Sequence, residues 1–76
     1  MYHTIEFRLQ GLAELETPGT DRLVQVFIKK GTRVRAHIRP YVVESDQGPI
    51  EVADLFSEDG TAARAVRFAS FRFLDE

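Results

Sequence analysis

The stretch Ile50–Leu74, IEVADLFSEDGTAARAVRFASFRFL, decides the fold. Its centre, Ser57-Glu58-Asp59-Gly60-Thr61, places an Asp-Gly turn between two alternating runs. A tight turn there sets Val52 opposite Val66 and Ile50 opposite Phe68. The same register sets Asp54 opposite Arg64 and Glu51 opposite Arg67. Apolar pairs and opposite-charge pairs agree, each adding about 0.2–1 kcal/mol. After this hairpin, Phe68-Ala69-Ser70 is too short for an α-helix and suits one 3₁₀ turn. Phe71-Arg72-Phe73-Leu74 reads as a short closing strand.

Period-two alternation continues upstream, and no long helical pattern competes with it. Odd positions Ile5, Phe7, Leu9, Gly11, Ala13 and Leu15 are apolar or small, predicting one long half-buried strand with a bulge or bend at Gly11. Thr17-Pro18-Gly19-Thr20 is a turn. As a four-residue loop it sets Ala13 against Val24, Gly11 against Val26 and Leu9 against Ile28. That arrangement leaves Leu12, Leu23 and Phe27 on the outer face, more apolar surface than solvent should meet. Lys29-Lys30-Gly31-Thr32 leads into a strand from Arg33 to Arg39, and Pro40 is expected to end regular pairing. Past Pro40 the apolar parity flips, from Val34, Ala36 and Ile38 to Tyr41 and Val43. The turn Asp46-Gln47-Gly48-Pro49 then returns the chain to Ile50.

The order is a long hairpin, a basic strand, an acidic strand, an Asp-Gly turn, another strand, a 3₁₀ turn and a short last strand. Over Ile50–Leu74 it resembles the SH3-like and Sm-like small barrels, whose last two strands are joined by a 3₁₀ turn. The resemblance implies an all-β, small SH3-like barrel of five or six antiparallel strands, occupying residues 1–76 as a single domain. It also implies a binding role, since members of these groups bind RNA, DNA, proline-rich peptides or proteins; it does not select the ligand.

Composition narrows the function classes. With 76 residues, 43% apolar and 29% charged, the chain reads as an ordinary globular domain. A domain of this size buries only about 60% of its unfolded surface, so modest stability is expected. There is no cysteine, which removes disulfides and thiolate metal sites. No signal-peptide pattern opens the chain and no apolar run nears the roughly 20 residues of a membrane helix, so a cytoplasmic location without membrane contact is expected. The net charge of −2 argues against indiscriminate nucleic-acid binding.

Charge is nevertheless sharply sorted. Arg22, Lys29, Lys30, Arg33, Arg35 and Arg39 lie in a stretch with no acid, whereas Glu44, Asp46, Glu51, Asp54, Glu58 and Asp59 follow with no base. Arg33, Arg35, His37 and Arg39 alternate with Val34, Ala36 and Ile38, making one strand face a cationic comb extended by Lys29 and Lys30. Its side chains recur about every 6.6–6.8 Å, a spacing comparable with that of DNA phosphates. Three readings follow: neutralisation by the acidic strand, an acidic protein partner, or nucleic-acid phosphates. Only Tyr41 and Phe27 are at hand to stack on bases, which weakens the last.

No nucleophile elbow, phosphate-cradling glycine loop or His-Glu helix motif is present, so a non-enzymatic chain with no cofactor and no metal is expected. His3 and His37 fall on separate strands and read as solvent-facing. Asp54 as a buried acid with a raised pKa is the alternative to its pairing with Arg64, and the pairing explains it more simply. The best functional expectation is a protein-interaction module, self-associating as a homodimer through Leu12, Leu23 and Phe27, with the comb facing an acidic partner. Open edges of an incompletely closed barrel offer strand addition as a second route. The alternative is a nucleic-acid-binding barrel using Lys29, Lys30, Arg33, Arg35 and Arg39.

Overall fold

A computed structural model describes residues 1–20 and 22–75. Seven antiparallel strands form one sheet curled into a half-barrel. In chain order they are β1 (Tyr2–Phe7), β2 (Gly11–Glu16), β3 (Leu23–Ile28), β4 (Arg33–Ser45), β5 (Gly48–Ser57), β6 (Ala62–Arg67) and β7 (Phe71–Phe73). A 3₁₀ turn, Phe68–Ser70, precedes β7 as expected. The spatial order is β3-β2-β6-β5-β4-β1-β7, so β3 and β7 are the two ends of the sheet.

There are more strands than the five or six anticipated because the long first strand is two. Pairing stops after Phe7 and resumes at Gly11. β1 pairs with β4 and β7, whereas β2 pairs with β3 and β6. The segment between them therefore crosses from one end of the curl to the other, held by the Arg8 amide donating to the Ser70 carbonyl at 2.7 Å.

The inner face carries the core. Ile5, Phe7, Ala36, Ala53, Leu55, Ala63 and Phe71 are buried together, with Leu15, Ile28, Val34, Ile38, Val66, Phe68 and Phe73 partly buried around them. Alanines on three neighbouring central strands leave room for the sheet to curl. Phe7, Phe68, Phe71 and Phe73 pack with centroids 5.2–6.2 Å apart, closing the β1–β7 end.

Three register expectations change. In the first hairpin, Gly11 faces Ile28, Ala13 faces Val26 and Leu15 faces Val24, two residues from the four-residue-loop register. The slip of two preserves the pleat, so the same residues remain on each face. Second, β4 runs unbroken through Pro40, which sits opposite Ala53. Pairing with β1 ends at His37, so beyond it that side of β4 is an open edge where a missing N–H is tolerated. The pleat does not flip; Tyr41, Val43, Ile50 and Val52 form a second apolar group on the outer face instead. Third, the β5–β6 register shifts between Ala53 and Leu55. Val52 faces Arg67 and Ala53 faces Val66, so the Val52–Val66, Ile50–Phe68 and Glu51–Arg67 pairs do not form.

The turns follow their glycines. Gly48 at φ +102° allows the two-residue link between β4 and β5, and Gly60 at φ +90° completes the Asp-Gly turn. Pro18 lies over Gly60, where a Cβ would come within 2.8 Å of its ring, and so ties the β2–β3 loop to the β5–β6 turn. Among the described residues no helix is long and apolar enough to cross a membrane.

Candidate interaction surfaces

The outer face of the sheet holds every predicted site residue that lies on a strand. Arg33, Arg35, His37 and Arg39 alternate along β4 on that face, opposite Glu6, Thr4 and Tyr2 of β1 on one side and Phe56 and Asp54 of β5 on the other. The comb therefore exists as a row, but its members differ in their engagement. The Arg33 Nε lies 3.1 Å from Glu6, and Arg35 lies 3.1 Å from Glu58. Glu6 also accepts from Arg72 at 2.8 Å. Hydrogen bonds from Arg72 and then Arg33 hold the Glu6 carboxyl below its ordinary value. Neutralisation of Arg33 thus comes from the N-terminal strand, not from the acidic segment. Arg39 faces Asp54 across the β4–β5 ladder, yet among the described residues it, Lys29 and Lys30 have no ion pair.

Asp54 is the only buried charged residue among those described, and it organises the middle of the outer face. One residue of β5 here opposes two of β6, Arg64 and Ala65, which is a β-bulge. The Asp54 carboxylate fills it, accepting from the Ala65 amide at 2.9 Å, Tyr41 Oη at 2.8 Å and Arg64 Nη1 at 3.0 Å. Burial pushes its pKa up, but the amide, hydroxyl and guanidinium bonds outweigh that and hold the carboxyl below its ordinary value. The raised-pKa alternative for Asp54 is thereby overturned, and the expected Asp54–Arg64 pair is present.

Arg64 extends the network to Glu16 of β2 at 2.7 Å, and its guanidinium lies 5.0 Å from the centre of the Phe56 ring. Ala65 adopts φ +52°, a left-handed conformation unfavourable for a residue with a Cβ. No buried side-chain polar atom among the described residues lacks a partner. Such a network fixes the β4–β5–β6 geometry; it offers no unpaired acid or base to a substrate.

The histidines point away from each other across the sheet. His37 faces outward, within 3.0 Å of the Met1 carbonyl, while His3, with Ile5 and Phe7, faces inward between Phe73 and Asp75. His3 is half-buried, not solvent-facing as expected.

At the other end of the same outer face lie Leu12 and Phe27, directly opposed, with Leu23 beyond them. Their exposures are 69%, 55% and 53%, so no described residue of this chain covers them. Val24, on the inner face of β3, is 48% exposed as well. The ladder between β2 and β6 is short, joining Leu15 to Ala63 and Glu16 to Ala62, with the Arg64–Glu16 ion pair beside it. From Leu15 back toward Gly11 the two strands separate, leaving a cleft of about 570 Å³ whose lining mixes apolar Phe7, Leu9, Leu12, Ile28 and Val66 with polar Gln10, Glu14, Arg64, Arg67 and Ser70. Sequence reasoning missed this cleft, because nothing in the alternation of β2 marks where its pairing with β6 stops.

Comparison with family models, with curated proteins and with solved structures finds no match for this chain.

Proposed function

We propose that this chain is a non-enzymatic protein-interaction module that self-associates through Leu12, Leu23 and Phe27. The observation that carries the reading is the exposure of these three large apolar side chains together on one hairpin face. Surface leucines scattered singly need no explanation, but three large apolar side chains gathered on one face of an edge hairpin mark an interface. The 3₁₀ turn before the last strand supports an SH3-like kinship, and small barrels of that kind serve as binding scaffolds. Lys29, Lys30 and Arg39 remain to meet an acidic partner, at opposite ends of a strand whose middle arginines are already paired.

That broken row favours a protein partner over nucleic acid, whose backbone would need consecutive free cations. Sedimentation over a concentration series tests the self-association: a concentration-dependent dimer is expected, and a monomer throughout would refute it. A titration with mixed-sequence oligonucleotides at low salt checks the alternative. Steeply salt-dependent binding abolished by Arg33→Glu with Arg35→Glu would replace the present reading.

A further inference from the structure

We infer that a second copy docks edge to edge, with β3 pairing antiparallel to β3 of its partner about a two-fold axis at Gln25. This rests on the self-association reading and specifies its geometry. The open edges of the sheet differ in one respect. β7 is three residues long and centred on Arg72. The open side of β4 beyond His37 carries Arg39, Pro40 and Glu44, and the end of β5 carries Pro49 and Glu51. Charges, prolines and short length are what keep an edge from recruiting another strand. β3, Leu-Val-Gln-Val-Phe-Ile, has none of them.

Its sequence is also complementary to itself. An antiparallel pair across a two-fold normal to the sheet must match residues on the same face, so a residue lies on the axis. The six-residue strand overlaps its copy furthest with Gln25 or Val26 there. With Gln25 there, Leu23 meets Phe27 of the second copy and Val24 meets its Val26. On the outer face Leu12, Phe27 and the second copy's Leu23 then form one apolar row, because Leu12 already opposes Phe27 within the hairpin. On the inner face Ala13, Val26 and the second copy's Val24 and Leu15 form another. With Val26 on the axis, Leu23 would instead meet Lys29 and Phe27 would meet Gln25, which is the poorer match. Edge pairing thus gives the side chains on both faces of β3 apolar cross-strand neighbours, including Val24, which face-to-face stacking through Leu12, Leu23 and Phe27 would leave without one.

Gln25 is exposed on the outer face between Leu23 and Phe27, so a charge there burdens any association through that face. Val24, on the inner face, separates the geometries: Val24→Lys should weaken an edge-paired dimer roughly ten-fold or more while leaving a face-stacked one intact. Gln25→Lys and Gln25→Glu each put like charges face to face on the axis and should weaken the dimer roughly ten-fold or more. Mixing the two variants should restore it as a heterodimer. Because the chain has no cysteine, Gln25→Cys should form an intermolecular disulfide under oxidised glutathione, since paired positions bring Cα atoms to about 4.5–5.5 Å. Circular dichroism verifies that each variant is folded. A wild-type dimer left intact by Val24→Lys, yet broken by Phe27→Glu, would overturn the edge geometry and keep the self-association. A monomeric wild type would overturn both.

Discussion

The middle of the sheet and the β2–β3 hairpin handle the same problem, a strand face that is neither fully wet nor fully dry, in opposite ways. Around Asp54 a buried charge is satisfied within the chain, by the Ala65 amide, Tyr41 and Arg64. Along Leu12, Leu23 and Phe27 exposed apolar groups are left unsatisfied by the described residues. The first arrangement stabilises a monomer; the second gains only if another molecule arrives. Stability and association should therefore respond to different residues.

The largest expected effect is at the middle. Asp54→Ala leaves the Ala65 amide without its acceptor and the bulge without its filler, and should cost about 2–4 kcal/mol in urea unfolding. Self-association per folded molecule should stay as in the wild type; parallel losses would break the comparison. The same carboxylate sets an acid limit. Its folded pKa lies below the ordinary 3.8, so its stabilisation is fully present above that value and is lost as pH falls beneath it. Asp54→Asn should flatten this part of the pH profile in thermal melts between neutral pH and pH 2.

The hairpin comes next. Phe27→Glu should weaken dimerisation by roughly thirty-fold, about 2 kcal/mol, while changing the monomer's unfolding free energy by less than about 1 kcal/mol. Sedimentation equilibrium and urea unfolding read the two separately. A smaller effect of opposite sign belongs to the bulge. Ala65→Gly relieves a left-handed backbone and should stabilise by about 0.5–1 kcal/mol, measured as a raised urea midpoint. The smallest change is expected at the comb: Arg33→Gln removes one exposed partner of Glu6, which keeps Arg72, and should shift stability by no more than about 0.5 kcal/mol.

The sequence made some of this legible for physical reasons. The Asp-Gly turn, the 3₁₀ turn and the closing strand are local, and the pleat fixes which side chains share a face, so Leu12, Leu23 and Phe27 could be grouped even with the hairpin register off by two. Asp54 opposite Arg64 was readable because it lies on the turn side of the bulge. The pairs beyond it were not, because the extra residue is Ala65, and nothing about an alanine announces a left-handed conformation. Pro40 misled because its effect depends on whether a neighbouring strand is present, a non-local fact. Glu6 as the partner of Arg33 and Arg72 required knowing that β1 lies between β4 and β7. The extent of the free edge of β3 is likewise a property of topology, not of alternation.

Amide hydrogen exchange across a dilution series compares the two ends of the sheet in one sample. Outward-facing amides of Leu23–Ile28 should gain protection as concentration rises, while those of Phe71–Phe73 exchange at a constant rate. Exchange in Leu23–Ile28 that is fast and independent of concentration would contradict the account.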